Sequence, residues 1–300
     1  MTLTVKTPIE AAATARQSYA LPLRVSAVFL GTVLLAACQS SGATGPALQQ
    51  VISLDQAQGA EGNIASLTAA VTADPSNPEP YNVRGSAYAR GGDNERAIAD
   101  FSSAIQLDPN FYQAYANRAL VYRQINDNLK AVEDYNRALQ INASYDTAYI
   151  GRGNIYRVAG RNAEALSDFQ RAIDLNTTDP RAYHNRGLLY QLDGQHRQAI
   201  EDFSAAISIN ANSPEPYSGR SISYVALNNL EDARDDINRA LQLDGNRAEF
   251  WVNQGIILEA VGGEQDRVRL AYARAAQLDP NYAPAKEGLA RVGAPPSPAA

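Results

Sequence analysis

The chain has 300 residues with 26 Lys and Arg against 32 Asp and Glu, a formal net charge of −6, and a hydrophobic fraction of 45%. That apolar content is enough for a packed core and excludes a chain disordered throughout, while the acidic balance repels phosphate backbones and excludes nucleic acid as a natural partner. Its 16 Tyr outnumber 6 Phe and 1 Trp, which suits packing positions where a ring is buried and a hydroxyl reaches a polar edge.

In chain order, the first feature is the uncharged run from Val25 to Leu35, preceded by Arg24 and followed by Ala36-Ala37-Cys38. A charged flank, a short apolar stretch and small residues make a secretory signal, expected over residues 1–37 with an N-terminal extension. The run is shorter than the roughly 20 residues that a spanning helix needs. Leu35-Ala36-Ala37-Cys38 resembles the lipobox of bacterial lipoproteins. That resemblance implies cleavage before Cys38 and acylation of its thiol. With Gln39 rather than Asp next, it also implies anchoring to the outer membrane of a Gram-negative cell, on its periplasmic face. Cys38 is the single cysteine, so no internal disulfide can form and lipidation gives the thiol a purpose. The competing reading is an uncleaved signal anchor with an incidental cysteine. Residues 38–62, rich in Ser, Gly, Ala and Gln, read as a tether, and 63–77 as a capping half-repeat.

From Asp74-Pro75 onward the chain repeats itself. Helix-ending segments recur at Leu107-Asp108-Pro109, Ile141-Asn142-Ala143, Leu175-Asn176-Thr177, Ile209-Asn210-Ala211, Leu243-Asp244-Gly245 and Leu278-Asp279-Pro280, at intervals of 34 residues with a final 35. Numbering each unit from its first residue, position 4 is Tyr81, Tyr115, Tyr149, Tyr183, Tyr217 and Trp251; position 8 is always small, and position 11 is Tyr in five units and Leu258 in the sixth. The spacing i, i+4, i+7 is one helical stripe, and the small residue admits a neighbouring helix. The second half of each unit carries an Ala, then Phe101, Tyr135, Phe169, Phe203 or Ile237 in the first five, then another Ala. Between the halves, Gly91-Gly92, Gly160, Gly194 and Asn228 stand where a left-handed residue ends a helix.

A 34-residue period with this pattern resembles the tetratricopeptide repeat (TPR). Six units follow: 78–111, 112–145, 146–179, 180–213, 214–247 and 248–282. A capping helix is expected over 283–292 and a disordered, proline-containing tail over 293–300. The resemblance implies an all-α fold, a TPR α-solenoid of stacked antiparallel helix pairs forming a right-handed superhelix with a concave groove. It implies other proteins as partners and no cofactor or metal.

Position 7 lies beside the packing stripe yet is Arg84, Arg118, Arg152, Arg186 and Arg220 in five units, and position 23 is Asp100, Asp134, Asp168, Asp202 and Asp236 in the same five. A charge there needs a counter-charge. The sixth unit loses both, with Gln254 and Leu270 or Ala271 in their place, which argues for five structural ion pairs over an arginine ladder for an anionic ligand. Positions 2, 6, 9 and 13 form a second stripe, which in TPR domains lines the groove. There Asn117, Asn185 and Asn253 either hold the backbone of an extended ligand or are simply tolerated on an exposed face. Arg123, Arg157 and Arg181 are the basic groove residues, a partial match to the carboxylate-binding clamp of some TPR domains.

His184 and His196 are the only histidines, and no metal-ligand spacing, phosphate loop or nucleophile elbow accompanies them, so no catalytic centre is expected. The expected function is a membrane-anchored adaptor or scaffold in the bacterial periplasm. The alternative is a structural part of an envelope assembly, secretion or pilus machine, and the oligomeric state stays open.

Overall fold

The computed structural model describes residues 61–293, in which every regular element is a helix. A single helix α1 (Glu61–Ala73) leads six hairpins: α2 (Pro78–Arg90) with α3 (Asn94–Leu107), α4 (Tyr112–Gln124) with α5 (Asn128–Ile141), and α6 (Asp146–Val158) with α7 (Asn162–Asp174). There follow α8 (Pro180–Leu192) with α9 (His196–Ile209), α10 (Pro214–Ala226) with α11 (Leu230–Leu243), and α12 (Ala248–Ala260) with α13 (Gln265–Leu278); α14 (Ala283–Val292) closes the row. The signal, Cys38 and the tail from 294 on lie outside the described residues. Among the described residues no helix is long and apolar enough to cross a membrane.

Local chemistry sets the helix limits. Pro78, Pro180 and Pro214 occupy the first turn, where a missing N–H costs nothing. Asn77, Asp93 and Asp127 cap α2, α3 and α5 by accepting from Glu79, Arg96 and Lys130 backbone N–H groups. Between the paired helices the chain reverses through one left-handed residue, Gly160 (φ 73°) in the third unit and Asn126 (φ 62°) in the second. Asn126, like Asn228 in the fifth unit, serves where the other four units use glycine, because a short polar side chain tolerates that conformation. The third unit departs from its neighbours at its far end. There α7 stops at Asp174, Asn176 is left-handed (φ 59°), and Thr177 is buried.

The core is a row of small clusters that follow the hairpin junctions. Ala131, Tyr135, Ala138 and Ala148 form one with Ala116 and Ala119; Ala165, Phe169, Ala172 and Ala182 form the next with Ile150 and Leu189. Position 8 is a place of close approach: a Cβ on Gly153 would stand 3.0 Å from the Phe169 ring, tighter than ordinary packing allows. Each hairpin therefore buries its apolar faces only against its neighbours, as a solenoid requires.

Candidate functional site: a polar ladder and a concave groove

The five position-7 arginines reach the five position-23 aspartates of their own units. Nε and Nη2 of each arginine donate to the two carboxylate oxygens at 2.6 to 2.9 Å, the bidentate geometry that a planar guanidinium favours. The aspartates are buried, 4 to 7% exposed. The third nitrogen, Nη1, donates back to the preceding unit: to Thr68, Ser102, Asn136, Gln170 and Ser204 in turn. Tyrosine rings flank the guanidiniums, as Tyr149 and Tyr156 do Arg152 at 5.6 and 5.9 Å. The hydrogen bond to Asp168 is the main reason that Arg152 is held above its ordinary pKa.

The result is one polar ladder stitching unit to unit, with every guanidinium nitrogen occupied inside the protein. The rungs at position 25 escaped the sequence reading, although Thr68, Ser102, Asn136, Gln170, Ser204 and Asn238 recur with the 34-residue period and are all able to accept a hydrogen bond. At the sixth unit the ladder ends: Gln254 still reaches Asn238 at 3.4 Å, but no aspartate stands behind it. A hollow of about 370 Å³ lined by Trp251, Gln254, Leu258 and Leu270 occupies that place.

The groove asparagines need correction. Asn117 Nδ2 donates to Asn82 Oδ1 at 2.9 Å and Asn253 Nδ2 to Ser218 Oγ at 2.9 Å, each bridging to the first helix of the preceding unit. Asn185 is buried, 5% exposed, and donates to the Arg181 carbonyl at 2.8 Å. Asn117 and Asn253 are bonded because consecutive first helices pack closely enough for position 6 to touch position 5 of the unit before; Asn185 is bonded to its own helix and does not lie on an exposed face.

Two arginines stand beside Asn117 in the groove. Arg123 and Arg181 border a cavity of about 60 Å³ together with Tyr135, Asn117, Thr147 and Asn154. That is far below the roughly 300 Å³ of a small-molecule site. The Tyr135 ring covers Gly151, where any side chain would collide with it. Burial pushes the Tyr135 hydroxyl up to about 12, with Arg123 and Arg181 pulling the other way. Arg181 is held by Asp179, at the start of α8, at 2.5 Å. Arg157 has an enclosed Nε with no partner, and burial lowers its pKa. Beside it lies His184, a half-buried residue whose Nδ1 is also enclosed without a partner. Among the described residues no group of three His, Cys, Asp or Glu is arranged to hold a metal ion.

His184 gives a pH test. Burial, aided by Arg157 and opposed by Glu215, brings its pKa from 6.5 down to about 4. In the fold the ring stays neutral while the unfolded chain takes up a proton, so the stability contribution is present above about 6.5 and is lost as pH falls toward 4. The loss is expected to be on the order of 2–3 kcal/mol. Urea titrations at pH 7 and pH 4.5 measure it, and His184→Gln should flatten the difference; an unchanged slope in that variant assigns it elsewhere.

Family models described as TPR repeat match residues 85–126 and 153–194, and models described as tetratricopeptide repeat match 112–145, 180–213 and 219–283. Together they cover more than half of the chain. No curated protein matches the sequence. Among solved structures, the chain is similar to a chain of the APC/C hetero-tetramer Cut9–Hcn1, with a TM-score of 0.70 and 18% identity over 79% of this chain and 47% of that one. It thus spans about half the length of that relative. It is similar to PilW, a widely conserved type IV pilus biogenesis factor (TM-score 0.62, 21% identity, 71% of this chain and 98% of that one). It is also similar to YrrB, a TPR protein with an unusual peptide-binding site (TM-score 0.52, 21% identity, 62% and 96%). At these identities the likeness is one of fold.

Proposed function

This chain belongs to the tetratricopeptide-repeat family, and on that premise we propose that it is a lipid-anchored adaptor on the periplasmic face of the outer membrane, holding extended segments of partner proteins in its concave groove. Its repeats make it a scaffold for protein–protein interaction; the anchor, the compartment and the groove as the binding face are the further steps. The observation that carries the groove is its lining. The first helices of the second to fourth units present Arg123, Thr147, Asn154 and Arg181 around a narrow cavity that Leu120, Tyr135 and Ile150 also line, while the ladder arginines on the neighbouring face have no free nitrogen to offer. A narrow floor of mixed polar and apolar side chains along a row of helices suits an extended chain better than a compact ligand. The peptide-binding site of YrrB shows that a similar fold takes peptides. The anchor rests on Leu35-Ala36-Ala37-Cys38 and on the solitary cysteine.

The test is crosslinking in intact cells from a photoreactive residue replacing Leu120, 36% exposed and lining the groove. Several substoichiometric partners support the adaptor, one stoichiometric complex supports a fixed part of an assembly machine, and no captured protein removes the groove from consideration. In the same cells Cys38→Ser should move the protein from the membrane fraction to the soluble one with its helical signal unchanged, since stable anchoring takes more than one acyl chain. Retention of that variant on membranes without its partners would end the lipoprotein reading.

A further inference from the structure

On the ladder face the sixth unit departs from the other five at three positions together. Position 7 is Gln254 and position 23 is Ala271, so the guanidinium and its carboxylate are both gone. Position 22, which is Ala99, Glu133, Ser167, Glu201 and Asp235 in the other units, is Leu270, and it is 68% exposed. In the other units this space is filled. The guanidinium carbons of Arg84, Arg118, Arg152 and Arg220 each lie 5.6 to 6.0 Å from the rings at both position 4 and position 11. In the sixth unit Trp251 and Leu258 stand at those two positions, and with Gln254 they line the hollow of about 370 Å³. Its walls are held in place: the indole Nε1 of Trp251 donates to the Gly245 carbonyl at 2.8 Å, and Leu258 is buried. Arg267 and Arg274 line the hollow as well, seven residues apart on α13 and so about 10 Å along its axis. No carboxylate lines it, and neither arginine has an ion pair among the described residues.

We propose that this hollow is a docking site separate from the groove, and that it takes an aromatic side chain of a partner protein flanked by acidic residues. The space that a flat guanidinium fills in the other units suits another flat group, and with Ala271 in place of aspartate it offers a cation no counter-charge. A neutral ring lying against Trp251, Leu258 and Leu270 gains both buried area and ring contact, the way an aromatic anchor in a pocket carries an interface. Arg267 and Arg274, both exposed at the mouth, then meet carboxylates on either side of the ring, whereas a basic partner would face two like charges.

Trp251 is the single tryptophan of the chain, so its fluorescence reports on this site in the full chain without a label. The probes are three Gly/Ser peptides: one with a phenylalanine between glutamates, one with serine for the phenylalanine, and one with glutamines for the glutamates. The first is expected to shift the Trp251 emission to the blue and to bind about tenfold or more tighter than either of the others at low salt, the charge-dependent part shrinking as salt is added. Gln254→Arg with Ala271→Asp writes the pair of the other units into the sixth; it should close the hollow, keep the helical signal and abolish the shift. Leu270→Glu, at an exposed position where two other units already carry glutamate, should weaken binding about tenfold and leave the thermal midpoint unchanged. Equal binding of the three peptides, an emission that none of them moves, or undiminished binding by either variant overturns the proposal. An emission that moves with protein concentration before any peptide is added also overturns it, because it assigns the hollow to a second copy of this chain. Each of these failures leaves the groove reading, tested from position 120, where it stands.

Discussion

Replacing Asp168 by alanine is expected to destabilise the protein by about 3 kcal/mol, the lower end of the range for breaking a buried ion pair. The lower end applies because the Arg152 side chain keeps 19% of its exposure, whereas that of Asp168 keeps 6%, so a stranded arginine recovers some water. Arg152→Met leaves the more buried partner stranded and also removes the 2.5 Å contact to Asn136 in the preceding unit; its cost should equal or exceed that of Asp168→Ala. Changing both, Arg152→Met with Asp168→Leu, should recover most of the loss, since two apolar side chains of similar volume need no counter-charge. Urea denaturation of the four proteins gives the coupling energy. A double variant as unstable as the sum of the singles shows that the two residues do not act as a pair. The Asn136 contact adds a second readout, because only variants lacking Arg152 should speed hydrogen exchange in α5.

The elements were legible because one solution is written six times. A period of 34 places each Ala and each aromatic on the same stripe in every unit, and errors at one unit are corrected by the others. The partners of the ladder arginines were legible for a different reason: the sixth unit drops Arg and Asp together, so Gln254 acts as an internal control. What stayed hidden depends on the angle between units, which no single helix encodes. Projected on one helix, Asn117 faces open groove; the preceding helix brings Asn82 to within 2.9 Å of it. Asn185 turns inward to its own backbone instead, a choice among rotamers that a pattern cannot make. The unpaired state of Arg123 and Arg157 was hidden in the same way, because having no partner is a property of the assembled surface. The shortened α7 was hidden because Leu175-Asn176-Thr177 aligns with its neighbours in sequence while Asn176 takes the left-handed conformation that ends the helix early.

Phe203→Ala should cost about 3–5 kcal/mol, the usual range for emptying a fully buried phenylalanine site. The ring has no exposure and is shared among three helices. A Cβ on Gly187 of α8 would stand 3.0 Å from it and one on Gly219 of α10 2.7 Å, and the His184 ring lies 5.7 Å away. The absence of side chains at those two glycines means that nothing nearby can collapse into the hole, which places the cost toward the upper end. Because each unit contacts only its neighbours, the damage should stay local at first. Hydrogen exchange should accelerate in α8, α9 and α10 while α2, α3, α12 and α13 keep their protection. Uniform loss of protection across all hairpins would instead mean that the array unfolds as one cooperative body. Partner binding separates this variant from the groove arginines. Phe203→Ala should weaken binding only where temperature or denaturant already opens α8, whereas Arg123→Gln, at the groove cavity, should weaken it in a protein that remains folded.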